Sequence, residues 1–243
     1  MIPAEKSPLV EAAMTTYFLR RLRRRFAAVR LKGGRNVPTD SGGVPVVLYG
    51  NHPGWWDAVL PLILSRRYFH HDAYAMMEER QLARYGFFRR VGCFSVDRER
   101  PREAARSLQY AAQLLSNSSR ALWLFPQGVL TSTEKRPLRF FHGTAHLLRA
   151  LGEVFVVPVA FRYEFVEDER PEAFVACGAP WHIHRDERVE IPLTTHILQQ
   201  LLEYEMDVQR EDVMEREFHA YETIVRGRRS VNQIWDDLRH TGR

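Results

Sequence analysis

With 243 residues, 45% of them hydrophobic, the chain has material for one large domain or two small ones around a sizeable core. No stretch reaches the ~18 uninterrupted apolar residues of a spanning helix, and no short apolar run before a small-residue cleavage site marks a signal peptide. The net charge of +5 is concentrated at one end. Residues 1–32 hold eight Lys and Arg against Glu5 and Glu11, a balance of +6, which leaves −1 for the rest.

The spacing predicts a helix over 9–31. Val10, Met14, Phe18, Leu22 and Phe26 recur every four residues, and Gly33 and Gly34 stop the pattern. Arginines crowd its second half beside the apolar stripe. Such a helix suits a membrane interface, with the stripe in the acyl region and the arginines at anionic headgroups. It equally suits a helix packed on its own domain with a solvated basic face. Nucleic acid is not the expected partner, because no recognition motif or aromatic interleaving accompanies the basic run.

After the glycine-rich connection 33–43 the chain alternates. Strand candidates are 44–49, 73–77, 93–96, 121–125, 154–161 and 173–177. Helical patterns lie at about 57–66, 79–89, 102–117 and 142–151. This order indicates an α/β fold with a mostly parallel central sheet flanked by helices. From Leu193 onward the sequence reads as an acidic helical appendage with no following strand. The expected division is an amphipathic interface helix (1–32), an α/β domain (33–192) and a helical C-terminal extension (193–243). Cys93 and Cys177 fall in two strand candidates and form no disulfide framework, which points to a reducing compartment.

Chemistry concentrates where strands end. His52 follows one strand and Asp57 opens the next helix. On one continuous helix, five residues would separate the two side chains by roughly 140°. Pro53 and Gly54 break that geometry, so Asp57 becomes free to accept a hydrogen bond from the imidazole. A carboxylate on one ring nitrogen fixes the tautomer and makes the other nitrogen a base. Taken alone, the pair reads rather as an Asp helix cap with an incidental surface histidine. Two further strands end in polar turns, at Phe125-Pro126-Gln127-Gly128 and at Asp97-Arg98, and Pro158 interrupts the run Val156–Val159.

In order and spacing these blocks resemble the glycerolipid acyltransferase superfamily, the PlsC-like lysophosphatidate acyltransferases, over about 44–162. The first block stands as Asn51-His52-Pro53-Gly54-Trp55-Trp56-Asp57. The second runs from Gly92 to Arg98, the third is Phe125-Pro126-Gln127-Gly128, and the fourth is Val156–Val159. The resemblance implies an acyltransferase on the cytosolic face of a membrane, with anionic lipids beneath it. It moves a fatty acyl group from acyl-CoA or acyl-carrier protein to a lipid hydroxyl, without a cofactor. By position, His52 is the base, Asp57 orients it, Arg98 binds the acceptor's phosphate, and Phe125 to Gly128 shape the acceptor site.

Gln127 stands where the family has glutamate, and Phe141 where it often has lysine. Glutamine keeps the shape and a hydrogen-bonding oxygen without the charge. These departures favour an acceptor other than lysophosphatidate: another lysolipid, or a hydroxyl of a glycolipid or carotenoid-type glycoside. Arg98, Arg100 and Arg136 keep a phosphate-bearing acceptor possible. A non-enzymatic alternative is an inactive acyltransferase fold that binds lipid. Of Trp55 and Trp56, one is expected to pack in the core and the other to cover the turn; the functional alternative is a wall for the acyl chain or an interface anchor. Two histidine groups, His70-His71-Asp72 and His182-Ile183-His184-Asp186, lack a third ligand at a recognised spacing, so no metal is expected.

Overall fold

The computed structural model describes residues 1–228. In chain order its elements are α1 (Pro8–Arg25), β1 (Ala28–Lys32), β2 (Val46–Gly50), α2 (Leu60–Leu64), β3 (Ala73–Glu78), α3 (Glu79–Arg84), β4 (Cys93–Val96), α4 (Pro101–Leu115), β5 (Ala121–Leu124), α5 (Gly143–Leu151), β6 (Val154–Glu164), β7 (Glu172–Cys177), β8 (Trp181–Ile183), α6 (Ile191–Met214) and β9 (Glu222–Arg226). The strands form one sheet in the order β4-β3-β5-β2-β6-β7-β1-β9, with β8 also paired to β6. From β4 to β6 all pairs are parallel. β7 runs antiparallel to β6, β1 parallel to β7, and β9 antiparallel to β1.

The central strands are apolar throughout because both faces are covered. All five residues of β2 are buried. Val46 and Leu48 face a layer built from Phe18 and Leu22 of α1, Leu60, Ile63 and Leu64 of α2, and Trp123. Val47 and Tyr49 face the opposite layer, with Leu147 and Leu148 of α5 and Leu198, Leu202 and Met206 of α6. Each such side chain contributes on the order of 2 kcal/mol by leaving water.

The six expected strands are present as β2 to β7, and the ends of the chain differ from expectation. The first helix stops at Arg25, and 28–32 is a strand. There the pattern changes from every fourth residue to alternation, with Val29 and Leu31 turned into the core. The stripe of α1 packs on the protein rather than facing outward: Phe18, Leu22 and Phe26 join the first layer, and Val10 and Met14 pack near Leu82 and Phe88. Beyond α6 a strand does follow. β9 pairs with β1, so both outer segments contribute to the sheet. Residues 229–243 of the expected C-terminal segment lie outside the described residues. The helix expected over 57–66 is a 3-10 turn (Trp55–Ala58), α2 and a wide turn (Ser65–Phe69) in succession. His71, expected in a solvated loop, is buried, and that burial holds its pKa below the ordinary histidine value. Among the described residues no helix is long and apolar enough to cross a membrane.

Candidate active site

The parallel strands β2, β5 and β4 all deliver their C-terminal ends to one cleft, the usual ligand edge of such a sheet. β2 ends at Gly50, where a Cβ would lie 2.7 Å from the Val159 carbonyl oxygen of β6. This close approach lets Asn51 reach across. Its Nδ2 donates to the Phe161 carbonyl (2.9 Å), and its Oδ1 accepts from the Phe161 amide (2.7 Å). Asn51 thereby extends the β2–β6 ladder by a side chain and sets the direction in which the chain leaves the sheet.

The turn that follows is organised around Asp57, which is fully buried. Oδ2 of Asp57 accepts from the Gly54 amide (2.7 Å) and lies 2.9 Å from His52 Nδ1. Oδ1 accepts from the Tyr163 hydroxyl of β6. One carboxylate therefore caps the 3-10 turn and holds the imidazole. The structure brings together the two residues that the H-x4-D spacing singled out. The His52 ring is stacked on Phe125, with centroids 4.6 Å apart. With Nδ1 engaged, Nε2 is the ring nitrogen left for a ligand.

The β5 turn meets His52 from the other side. Gln127 is buried, and its Oε1 accepts from the His52 amide at 3.2 Å. Gly128 adopts φ +68°, and a Cβ there would sit 1.9 Å from Arg98 Nη1. Only glycine admits the guanidinium at that point. Arg98 also lies over the Phe141 ring, 5.2 Å from its centroid. It has no carboxylate partner among the described residues. Arg100 and Arg136, the other expected phosphate ligands, are engaged elsewhere. Arg100 pairs with Asp97 and Glu79, and Arg136 with Asp207. Of the three, Arg98 alone lines the cleft.

The cleft has a volume of about 1710 Å³. His52, Asp57 and Arg98, with Phe125, Pro126 and Gly128 of the β5 turn, form its polar end. Its walls are apolar, including Met14, Phe18, Pro61, Met77 and Phe88. Cys93 also lines it, but burial pushes that thiol up to about 12, which suppresses the nucleophilic thiolate.

The acyltransferase family profile matches residues 28–162, a span that contains Asn51, His52, Asp57, Arg98 and the Phe125–Gly128 turn and ends one residue before Tyr163. This chain belongs to that family. A 1-acyl-sn-glycerol-3-phosphate acyltransferase of Streptococcus pneumoniae is 27% identical over 119 residues, which cover 47% of this chain and 40% of that protein. The matched part thus spans about two fifths of that relative's length. The crystal structure of the 1-acyl-sn-glycerophosphate acyltransferase PlsC from Thermotoga maritima superposes with a TM-score of 0.58 at 12% identity. It covers 83% of this chain and 78% of that one, and at this identity the likeness is one of fold.

The sequence reading assigns no role to two contributors. Asn51 is part of the first block, but its bonds to β6 are visible only in three dimensions. Tyr163 lies beyond the fourth block and 106 residues from Asp57. No local pattern marks it. Burial and the adjacent Asp57 carboxylate raise its hydroxyl pKa well above the ordinary tyrosine value, so it remains a hydrogen-bond donor.

Proposed function

We propose that this acyltransferase moves a fatty acyl group from a thioester donor, acyl-CoA or acyl-carrier protein, to a hydroxyl of a lysophospholipid or related lipid at a membrane surface. The observation that carries this reading is the His52–Asp57 pair at the polar end of a large apolar cleft. The acceptor hydroxyl gives its proton to His52 Nε2 as its oxygen attacks the thioester carbonyl. The tetrahedral intermediate then collapses, the C–S bond breaks, and the thiolate leaves with the proton returned from Nε2. Asp57 keeps the proton on Nδ1 and stabilises the imidazolium. Arg98 faces an acceptor phosphate, while Gln127 holds the His52 main chain and the Phe125–Gly128 turn walls the acceptor.

A second reading is favoured by the charge of the site. Gln127 is neutral, Phe141 lies beneath Arg98, and Arg100 and Arg136 are paired elsewhere. A glycolipid or glycoside hydroxyl needs less positive charge than a phosphate monoester such as lysophosphatidate. The non-catalytic reading, a lipid-binding protein, fits the ordered His52–Asp57–Tyr163 contacts poorly, since binding alone has no use for them.

The test is thiol release from palmitoyl-CoA with a panel of lysophospholipid and glycolipid acceptors. Acceptor-dependent release is expected from the wild type and none from His52→Ala. Asp57→Asn is expected to lose roughly 10³–10⁴-fold in turnover, as the loss of an orienting carboxylate does elsewhere. Substantial turnover by His52→Ala would refute the mechanism. Absence of release with either CoA or carrier-protein donors would favour the binding protein.

A further inference from the structure

At the opposite end of β6, the side chains of one glutamate and two histidines converge. β8 pairs antiparallel with the start of β6, with Phe155 opposite His182 and Val154 opposite Ile183. Glu153 immediately precedes β6 and His184 immediately follows β8, one residue past that ladder. Strand alternation puts residues two apart on one face, so the His182 and His184 rings stand side by side, with centroids 4.0 Å apart. The His182 ring is fixed by stacking on Phe155 at 4.1 Å. Its Nε2 is buried and has no hydrogen-bond partner among the described residues. Glu153 Oε1 stands 3.6 Å from it, outside hydrogen-bond range. One donor atom from each of Glu153, His182 and His184 lies within 4.8 Å of the others.

We propose that Glu153, His182 and His184 form a binding site for a divalent transition-metal ion of the zinc class. The sequence alone shows a His-x-His pair without a third ligand. The third is Glu153, about thirty residues upstream and visible only through strand pairing. Two imidazoles and one carboxylate are the donor set of Zn²⁺, Co²⁺ or Ni²⁺, whereas Ca²⁺ and Mg²⁺ take oxygen shells. Tetrahedral bonds of about 2.1 Å place donors ~3.4 Å apart, so the cluster needs to contract by roughly 1 Å. His184 is exposed and Glu153 half-exposed, which leaves both free to make that movement. Arg185 also approaches Glu153, at 3.8 Å, but it is largely exposed and easily displaced. A metal supplies the missing partner of His182 Nε2, and an ion pair with Glu153 alone leaves His184 without a role. At ~3.3 Å per residue the site lies roughly 25 Å along the sheet from His52. The ion therefore takes no part in acyl transfer. It ties the short strand β8 to β6.

The experiment is calorimetric titration of chelator-treated full-length protein with ZnCl₂, with CoCl₂ as a spectroscopic probe. The expected result is one equivalent bound at micromolar affinity or tighter. Co²⁺ should give the intense visible bands of a low-coordinate site. Zn²⁺ should also raise the thermal midpoint, because only the folded chain assembles the donors. His184→Ala alters an exposed side chain outside the strand and should leave the circular dichroism unchanged. It should weaken binding by roughly 100-fold or more, and Glu153→Gln should weaken it in the same direction. His70→Ala should have no effect. Saturation only at millimolar metal, or binding that survives the double substitution of His182 and His184 by alanine, would overturn the proposal.

Discussion

Asp57 is asked to do three things with two oxygens: cap a turn, hold an imidazole and accept from Tyr163. The Tyr163 bond is the one that removes Oδ1 from competition. Without it, the carboxylate can rotate within its buried site and offer His52 the wrong oxygen. Tyr163→Phe keeps the ring contact with Phe26 and deletes only the donor. An unpaired oxygen on a buried carboxylate costs about 1–3 kcal/mol. Under the proposed mechanism, the variant is expected to lose roughly tenfold or more in kcat with little change in KM, since no substrate touches the hydroxyl. Equal changes in both constants, or none, would remove Tyr163 from the positioning of Asp57. The His52–Asp57 pair was legible because both partners sit in one turn. Tyr163 was not, because a hydrogen bond between side chains 106 residues apart leaves no trace in spacing.

At the scale of elements, legibility followed burial. The six strands β2 to β7 show as apolar runs because helices cover both faces of the sheet there. β1 and β9 sit together at the sheet edge, carry alternating charged residues, and are five residues each. The helical period of α1 ran on through Phe26 and masked the start of β1, and the acidic helix before β9 masked its end. The stripe of α1 was visible, but the surface it meets was not. The structure supplies that surface: Leu22 is fully buried between α1 and the sheet. A helix that detached into a membrane would leave Leu22→Ala nearly neutral in solution. A helix that completes the core predicts a loss of about 3 kcal/mol, the usual cost of a buried Leu→Ala change. Denaturant unfolding of the two proteins measures the difference directly. A change below ~1 kcal/mol would mean that α1 contributes little to the folded core.

For the whole molecule, α1 joins the two features on which the membrane association proposed above would rest. α1 lines the cleft with Met14, Tyr17, Phe18 and Arg21, and the same helix carries the exposed Arg20, Arg23 and Arg24. These three arginines, with Gly227 and Arg228, also line a second recess of about 430 Å³, a size and charge suited to an anionic headgroup. Around the cleft, Tyr17, Trp55, Phe87, Leu130 and Phe141 are exposed apolar groups. With the stripe of α1 consumed by the core, these rim residues are what can enter the acyl region, and the arginines are what can meet the phosphates. Each basic residue near an anionic leaflet adds about 1 kcal/mol. Replacing Arg20, Arg23 and Arg24 together by alanine is therefore expected to weaken binding to phosphatidylglycerol vesicles by roughly 100-fold. It should leave the thermal midpoint nearly unchanged, because these side chains are solvated and form no ion pairs with the body among the described residues. Binding by the wild type should also fall with salt, since a Debye length shrinks to ~3 Å at 1 M. Trp55→Ser should weaken binding without changing that salt dependence, as the loss of an apolar contact does. Vesicle flotation of the three proteins separates the two contributions. If the arginine variant binds as the wild type does, the basic end of the chain faces something other than lipid, and the cleft must take its acceptor by another approach.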